Sequence, residues 1–173
     1  MDENLRNIFS TVNEWLRFLE AKHTALIALN GAAVLGLTQS LENIGNDSLK
    51  QLIPYWLIPG LLIALLISLF SMTQWATMVI TFRQKKRLNV SNALYFGYIS
   101  ALNKAAFIAE LLRLDCIIAP VTELNEALIE QIHINAKIAF AKQRLFHWAI
   151  TLTFLTIGTC FGIFWAIRWF CIR

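Results

Sequence analysis

The sequence predicts an all-α membrane protein, three transmembrane helices with a helical cytoplasmic extension, and three observations carry that expectation. Apolar residues make up 57% of the 173-residue chain and charged residues 15%, with a mean hydropathy of +0.57, outside the usual range of soluble domains. The apolar residues gather into stretches at about 23–40, 54–80 and 148–171, each close to the ~20 residues a helix needs to cross a bilayer. A basic segment of about 65 residues separates the second stretch from the third. The expected organisation is a cytoplasmic amphipathic helix over 1–22, a transmembrane hairpin over 23–81, a cytoplasmic region over 82–146 and a third transmembrane helix over 147–173.

The amino-terminal element follows from Leu5, Ile8, Phe9, Val12, Trp15, Leu16 and Leu19, whose helical spacing gives an amphipathic arm running into the first span without a breaker. Asp2, Glu3, Arg6, Glu14, Arg17 and Glu20 mix both charges through it, unlike the short cationic start of a cleaved signal. Asn43, Gly45, Asn46, Asp47 and Ser48 supply a tight reversal, and Pro54 and Pro59 stand early in the second span, where proline is tolerated. A basic stop, Arg83, Lys85, Lys86 and Arg87, precedes Asn89 to Ile99. Asn103 then caps a helix over 104–114, ended near Asp115 with Pro120 beyond. Thr122 caps the last helix. From Glu123 no glycine or proline intervenes before Gly158, so one helix of about 48 residues, on the order of 70 Å, runs into the third span.

Orientation follows from lysine and arginine, which are retained on the cytoplasmic side. Residues 1–22 carry three, the loop 41–53 only Lys50, and residues 83–146 nine. The amino terminus and the central region are therefore expected in the cytoplasm, and the carboxyl terminus, with Arg168 and Arg173, outside. Tyr55 and Trp56 against Trp75, and Trp148 against Trp165 and Trp169, fit belts at the two interfaces. Cys116, Cys160 and Cys171 are odd in number and give neither a disulfide framework nor a metal cluster. The cytoplasmic part holds no glycine-rich phosphate loop, paired nucleophile and base, or metal-ligand set, so no enzymatic activity, cofactor or metal is expected, and no DNA or RNA partner.

Several short motifs carry a resemblance. Glu14-Trp15 followed by Glu20-Ala21-Lys22, then Tyr95-Phe96-Gly97-Tyr98-Ile99, then Glu130-Gln131-Ile132 through Asn135, Lys137-Ile138-Ala139, Lys142 and Arg144-Leu145-Phe146 resemble the PycTM-like membrane effectors of the Pycsar antiphage systems, in order and spacing over most of the chain. The resemblance implies a bacterial inner-membrane effector that detects cyclic CMP or cyclic UMP made by a partner uridylate or cytidylate cyclase on infection, then damages the lipid bilayer and arrests or kills the infected cell. The chain departs from the family's commoner pattern at Glu20, where aspartate is more frequent, and at Tyr98, where a polar residue is.

A cyclic nucleotide needs a cation or N–H groups for its phosphate, a flat face for its base and hydrogen-bond partners for its edges. Tyr95, Phe96 and Tyr98 offer faces, and Gly97 permits close backbone approach; alternatively the rings form a small core and Gly97 an ordinary turn. Gln131, Asn135 and Lys142, with Ile138 less exactly, share one stripe of the long helix. That stripe either binds the ligand, is solvated, or hydrogen-bonds the amino-terminal arm. His133 is read as a surface or packing residue, His23 and His147 as boundary residues, and the 83–87 cations as a topology anchor.

In the spans, Ala28, Ala32 and Gly36, and Gly158, Gly162 and Ala166, recur every four residues, a spacing that lets helices approach closely in lipid. They serve packing within one subunit or a homo-oligomer contact. Asn30 needs a helix or water partner. Two other readings stay open: an effector or toxin gated by a cyclic dinucleotide or an antitoxin, and a membrane scaffold with a helical partner-binding region.

Overall fold

The computed structural model describes residues 3–43, 57–72, 95–118 and 121–171, with side chains except at 37, 40–43, 160–161, 163–164 and 166–171. The expected reversal after Asn43, Pro54, Tyr55, Trp56, Trp75, the basic stop and Pro120 lie outside the described residues, as do the side chains of Cys160, Ala166, Arg168, Trp169 and Cys171. The described elements are all α-helices: α1 (Glu3–Asn43), α2 (Leu57–Met72), α3 (Phe96–Ala101), α4 (Lys104–Arg113) and α5 (Glu123–Cys171). They form two compact units, one of residues 1–21 with 72–144 and one of 22–71 with 145–173.

In the first unit, the arm turns Leu5, Ile8, Val12 and Leu19 onto one buried face, where they meet Phe96 and Ile99 of α3, Phe107 and Leu111 of α4, and Ile129, Ile132, Ala136 and Ala139 of α5. Alternating three- and four-residue spacing on α1 and α5 gives each a continuous apolar stripe. Local signals delimit the short helices. The Asn103 side chain accepts from the Ala106 N–H at 2.7 Å, satisfying a first-turn donor that α4 itself leaves open. At the other end Asp115 takes φ 51°, its N–H donating to Leu112 O and that of Cys116 to Leu111 O. This paired closure usually uses glycine; aspartate is among the few other residues that enter the left-handed region readily. α5 starts on Thr122, whose Oγ1 accepts from the Asn125 N–H at 3.3 Å.

The second unit packs the later part of α1, α2 and the later part of α5. On α2, Leu57, Leu61, Ala64, Ser68 and Ser71 are buried at alternating four- and three-residue steps, the seam spacing of packed helices. Also buried in this unit are His23, Leu26 and Asn30 of α1 and Ala149, Thr153 and Thr156 of α5. Much of this interior is polar, whereas Leu35, Leu62, Ile63, Leu66, Leu69, Phe70, Trp148, Phe154, Leu155 and Trp165 are exposed. A unit with apolar side chains outside and hydroxyls and amides inside reverses the usual arrangement in water.

Among the described residues no helix is long and apolar enough to cross a membrane. α2 has 16 described residues, short of the ~20 a crossing needs, and the remainder of the expected second span, 54–56 and 73–80, lies outside them.

The small residues are deployed differently from one another. At Gly60 an added Cβ would stand 2.7 Å from Thr156 Oγ1 and 3.2 Å from its Cγ2, so the absent side chain sets the α2–α5 approach. At Gly36, Gly158 and Gly162 nothing lies within 4 Å of such an atom, and Ala28 and Ala32 are exposed. Among the described residues, these positions therefore meet no other helix closely. Gly60→Ala should destabilise the second unit by about 1–3 kcal/mol, because a buried β-branched neighbour cannot yield cheaply. Gly31→Ala, whose Cβ would meet Leu65 Cδ1 at 3.9 Å, should be nearly silent. Thermal unfolding in detergent checks the pair.

Candidate ligand site

A polar line crosses the otherwise apolar α1–α5 contact of the first unit. Gln131 Nε2 donates to Asn135 Oδ1 at 3.0 Å, and Asn135 Nδ2 donates to Asn13 Oδ1 at 2.8 Å. One heptad further along both helices, Lys142 Nζ donates to Glu20 Oε1 at 2.5 Å. Both cross-helix bonds join residues separated by 122 positions, so the two helices run in the same direction at constant register. The Lys142 side chain is 8% exposed and that of Glu20 44%. A buried ammonium is tolerated only with an anion beside it. Of the expected stripe, Gln131, Asn135 and Lys142 are thus brought together on one face of α5, and that face is turned to the arm. Ile138 is half-buried.

Tyr95, Phe96 and Gly97 gather elsewhere in the same unit. Phe96 is 1% exposed, its ring 4.9 Å from Tyr95 and 5.6 Å from Trp15, which makes it part of the core. The space above Gly97 holds the Tyr95 ring, with Cε1 2.5 Å from where a Cβ would be; the close approach that glycine allows is made by the chain's own tyrosine. Tyr95 is half-buried, and Trp15 and Phe18 are exposed with their rings 6.0 Å apart in T-shaped contact. The Tyr98 hydroxyl is held above its usual range by burial and by the Glu110 carboxylate. Arg113 donates to both Glu110 oxygens at 2.8 and 2.7 Å and holds that carboxyl low.

Sequence reasoning did not single out Asn13 or the Glu110–Arg113 fork. The signal for Asn13 was its heptad spacing from Glu20 on the arm, matching Asn135 and Lys142 on α5. In the second unit Thr153 Oγ1 lies 3.1 Å from Asn30 Oδ1 and 2.9 Å from Ala149 O, its one hydrogen shared between the two acceptors, which gives Asn30 a helix partner, while the buried Asn30 Nδ2 has no hydrogen-bond partner among the described residues. No group of three or more metal-ligating side chains occurs among the described residues.

These features define a class: an all-helical chain of two units, one with a soluble-type core crossed by a charged pair, the other apolar on its surface and polar in its seam. The family model of PycTM, the Pycsar effector protein domain, matches residues 4–170. The chain belongs to this family and is a Pycsar antiphage effector. No curated protein and no solved structure matches it.

His133 adds a titratable group to the core. It is buried, its Nε2–H donates to Leu102 O at 2.8 Å, and its ring stacks on Phe107. Burial holds its pKa below the ordinary 6.5, aided by Lys137 and Lys104 and opposed by the Leu102 carbonyl and Glu130. The unfolded chain then takes up a proton at a pH where the folded chain does not. Stability contributed by neutral His133 is intact above about pH 6.5 and falls as the medium is acidified, with a limiting slope of about 1.4 kcal/mol per pH unit. Melting temperatures from pH 8 to 5 should show this loss, and His133→Gln should flatten it.

Proposed function

We propose that the chain is a non-enzymatic effector of the bacterial inner membrane that binds cyclic CMP or cyclic UMP, made by a partner cyclase, in its first unit and disrupts the bilayer through its second. The observation that carries the reading is the buried Lys142 ammonium in line with the amides of Gln131, Asn135 and Asn13, a cation and hydrogen-bonding edges of the kinds a mononucleotide requires. Tyr95, Gly97 and Trp15 would supply the stacking region, and Phe96 would support it from the core.

The apolar exterior of the second unit and its polar seam favour lipid as its surroundings, since intramembrane polar groups face a bundle interior. α1 and α5 each contribute to both units as unbroken helices, so a rearrangement of the ligand-binding line has a covalent path toward the bilayer. The amino terminus and the first unit would face the cytoplasm and the carboxyl terminus the periplasm. Three helices per chain cannot enclose a wide conduit, so damage requires a homo-oligomer or a packing defect. Ala28 and Ala32, which are exposed, and Gly158 and Gly162, where an added Cβ would meet no described atom within 4 Å, are suited to contact between copies, as the spacing of Gly36 and Ala166 is. A ligand moves such an equilibrium only by preferring one state, and about 5.5 kcal/mol is needed to pass from 1:99 to 99:1. Modest preferences repeated over several subunits would supply it.

Dye-loaded vesicles containing the purified protein should leak when cyclic CMP or cyclic UMP is added. Lack of leakage at concentrations that saturate binding removes the membrane step, and lack of binding by either nucleotide removes the ligand. Gly162→Leu should keep the fold and ligand affinity but reduce leakage at least about tenfold; unchanged leakage would assign assembly to another face.

A further inference from the structure

The polar groups in the seam of the second unit tie its helices together only weakly. Thr156 Oγ1 donates to Leu152 O at 2.8 Å and Ser71 Oγ to Ser68 O at 2.8 Å, each within its own helix. Thr153 Oγ1 shares its one hydrogen between Ala149 O of its own helix and Asn30 Oδ1 of α1. Asn30 Nδ2 and Ser68 Oγ have no hydrogen-bond partner among the described residues, although both side chains are 0% exposed. The two belong to one neighbourhood. Ser68 stands one turn along α2 from Leu65, whose Cδ1 lies 3.9 Å from where a Cβ on Gly31, the residue after Asn30, would be. If the helices part, Thr153, Thr156 and Ser71 keep the partners they have in their own helices. Water admitted there gives Asn30 and Ser68 the hydrogen bonds they lack. What favours the closed arrangement is the apolar packing of Leu26, Leu57 and Leu61, all buried.

We infer that this seam is the dormant lining of the permeation path: in the ligand-bound state the helices part, water enters at Asn30 and Ser68, and the side chains of Asn30, Ser68, Thr153 and Thr156 line a route for small inorganic ions. This rests on the proposed bilayer-disrupting function and deepens it by naming the lining. At rest the leucines are the dry constriction that keeps water out. The number of copies sets the width of the path, and the seam sets its chemistry. Apart from His23, the described side chains buried in this unit carry no ionisable group, so cations and anions pass alike.

The test uses the full-length protein in dye-loaded vesicles to which cyclic CMP or cyclic UMP is added. Asn30→Leu and Ser68→Ala each remove an unmet polar group and leave Thr153 and Ser71 their own-helix bonds. Each should reduce leakage at least about tenfold while nucleotide affinity is unchanged and the melting temperature is equal to or above that of the unaltered protein. In a background without the three native cysteines, Ser68→Cys should react with a charged, membrane-impermeant thiosulfonate at least about tenfold faster once nucleotide is added. Leu66→Cys, on the exposed face of α2, should show no such change. Unchanged leakage in both polar-to-apolar variants, labelling of Ser68→Cys that does not depend on nucleotide, or a strong preference of the leak for ions of one sign overturns the lining and leaves the bilayer-disrupting reading intact. No leakage from vesicles of the unaltered protein at saturating nucleotide overturns both. Should Asn30→Leu fail to fold, Ser68→Ala and the labelling decide.

Discussion

Two long helices running side by side in the same direction constrain most of what this chain can do. In the first unit the described side chains place the pairs Asn13–Asn135 and Glu20–Lys142 in a mostly apolar contact, and polar groups placed sparsely in such a seam fix register, because a slip costs them their hydrogen bonds. The charged pair is the stricter of the two. A displaced amide loses a neutral hydrogen bond, whereas a displaced Lys142 loses a charge-assisted one, roughly twice as strong.

The second unit uses the same two helices with different chemistry. There the cross-helix bond is Thr153 to Asn30, and α2 lies against α5 at a point fixed by Gly60 and Thr156. Thr156 donates back to Leu152 O of its own helix, and Thr153 shares its one hydrogen between Asn30 Oδ1 and Ala149 O, so both hydroxyls remain satisfied in an apolar setting. With Leu62, Leu66, Leu69, Trp148 and Phe154 turned outward, this unit has its polar atoms where a bilayer would require them.

Much of the helical organisation was legible because it rests on local chemistry. Asn103 and Thr122 announce two helix starts through side-chain caps, Asp115 marks a stop, and the absence of glycine and proline after Glu123 leaves α5 unbroken. The spacing of Leu5, Ile8, Val12 and Leu19 gave the buried face of the arm. What a helix face meets was less legible, since periodicity names the residues that share a face and not the face opposite. Spacing places Gln131, Asn135 and Lys142 on one stripe, but it does not carry the contacts of Asn135 with Asn13 and of Lys142 with Glu20. The space over Gly97 is likewise taken by Tyr95, a tertiary choice of rotamer. The small-residue stripes were expected to pack within one subunit or between copies, and spacing did not mark Gly60, where the described residues place a close approach of α2 to Thr156 of α5.

The fixed pairing of α1 with α5 within each unit has a consequence for how this architecture can diverge. Inserting or deleting one residue in either helix turns everything beyond it by about 100°, parting the amides, the ion pair or the threonine–asparagine bond of the unit in which it falls. Changes of seven residues made in both helices together would preserve the matches. Substitution can therefore proceed freely over the outer faces, while the lengths of these helices are among the least negotiable properties of the chain.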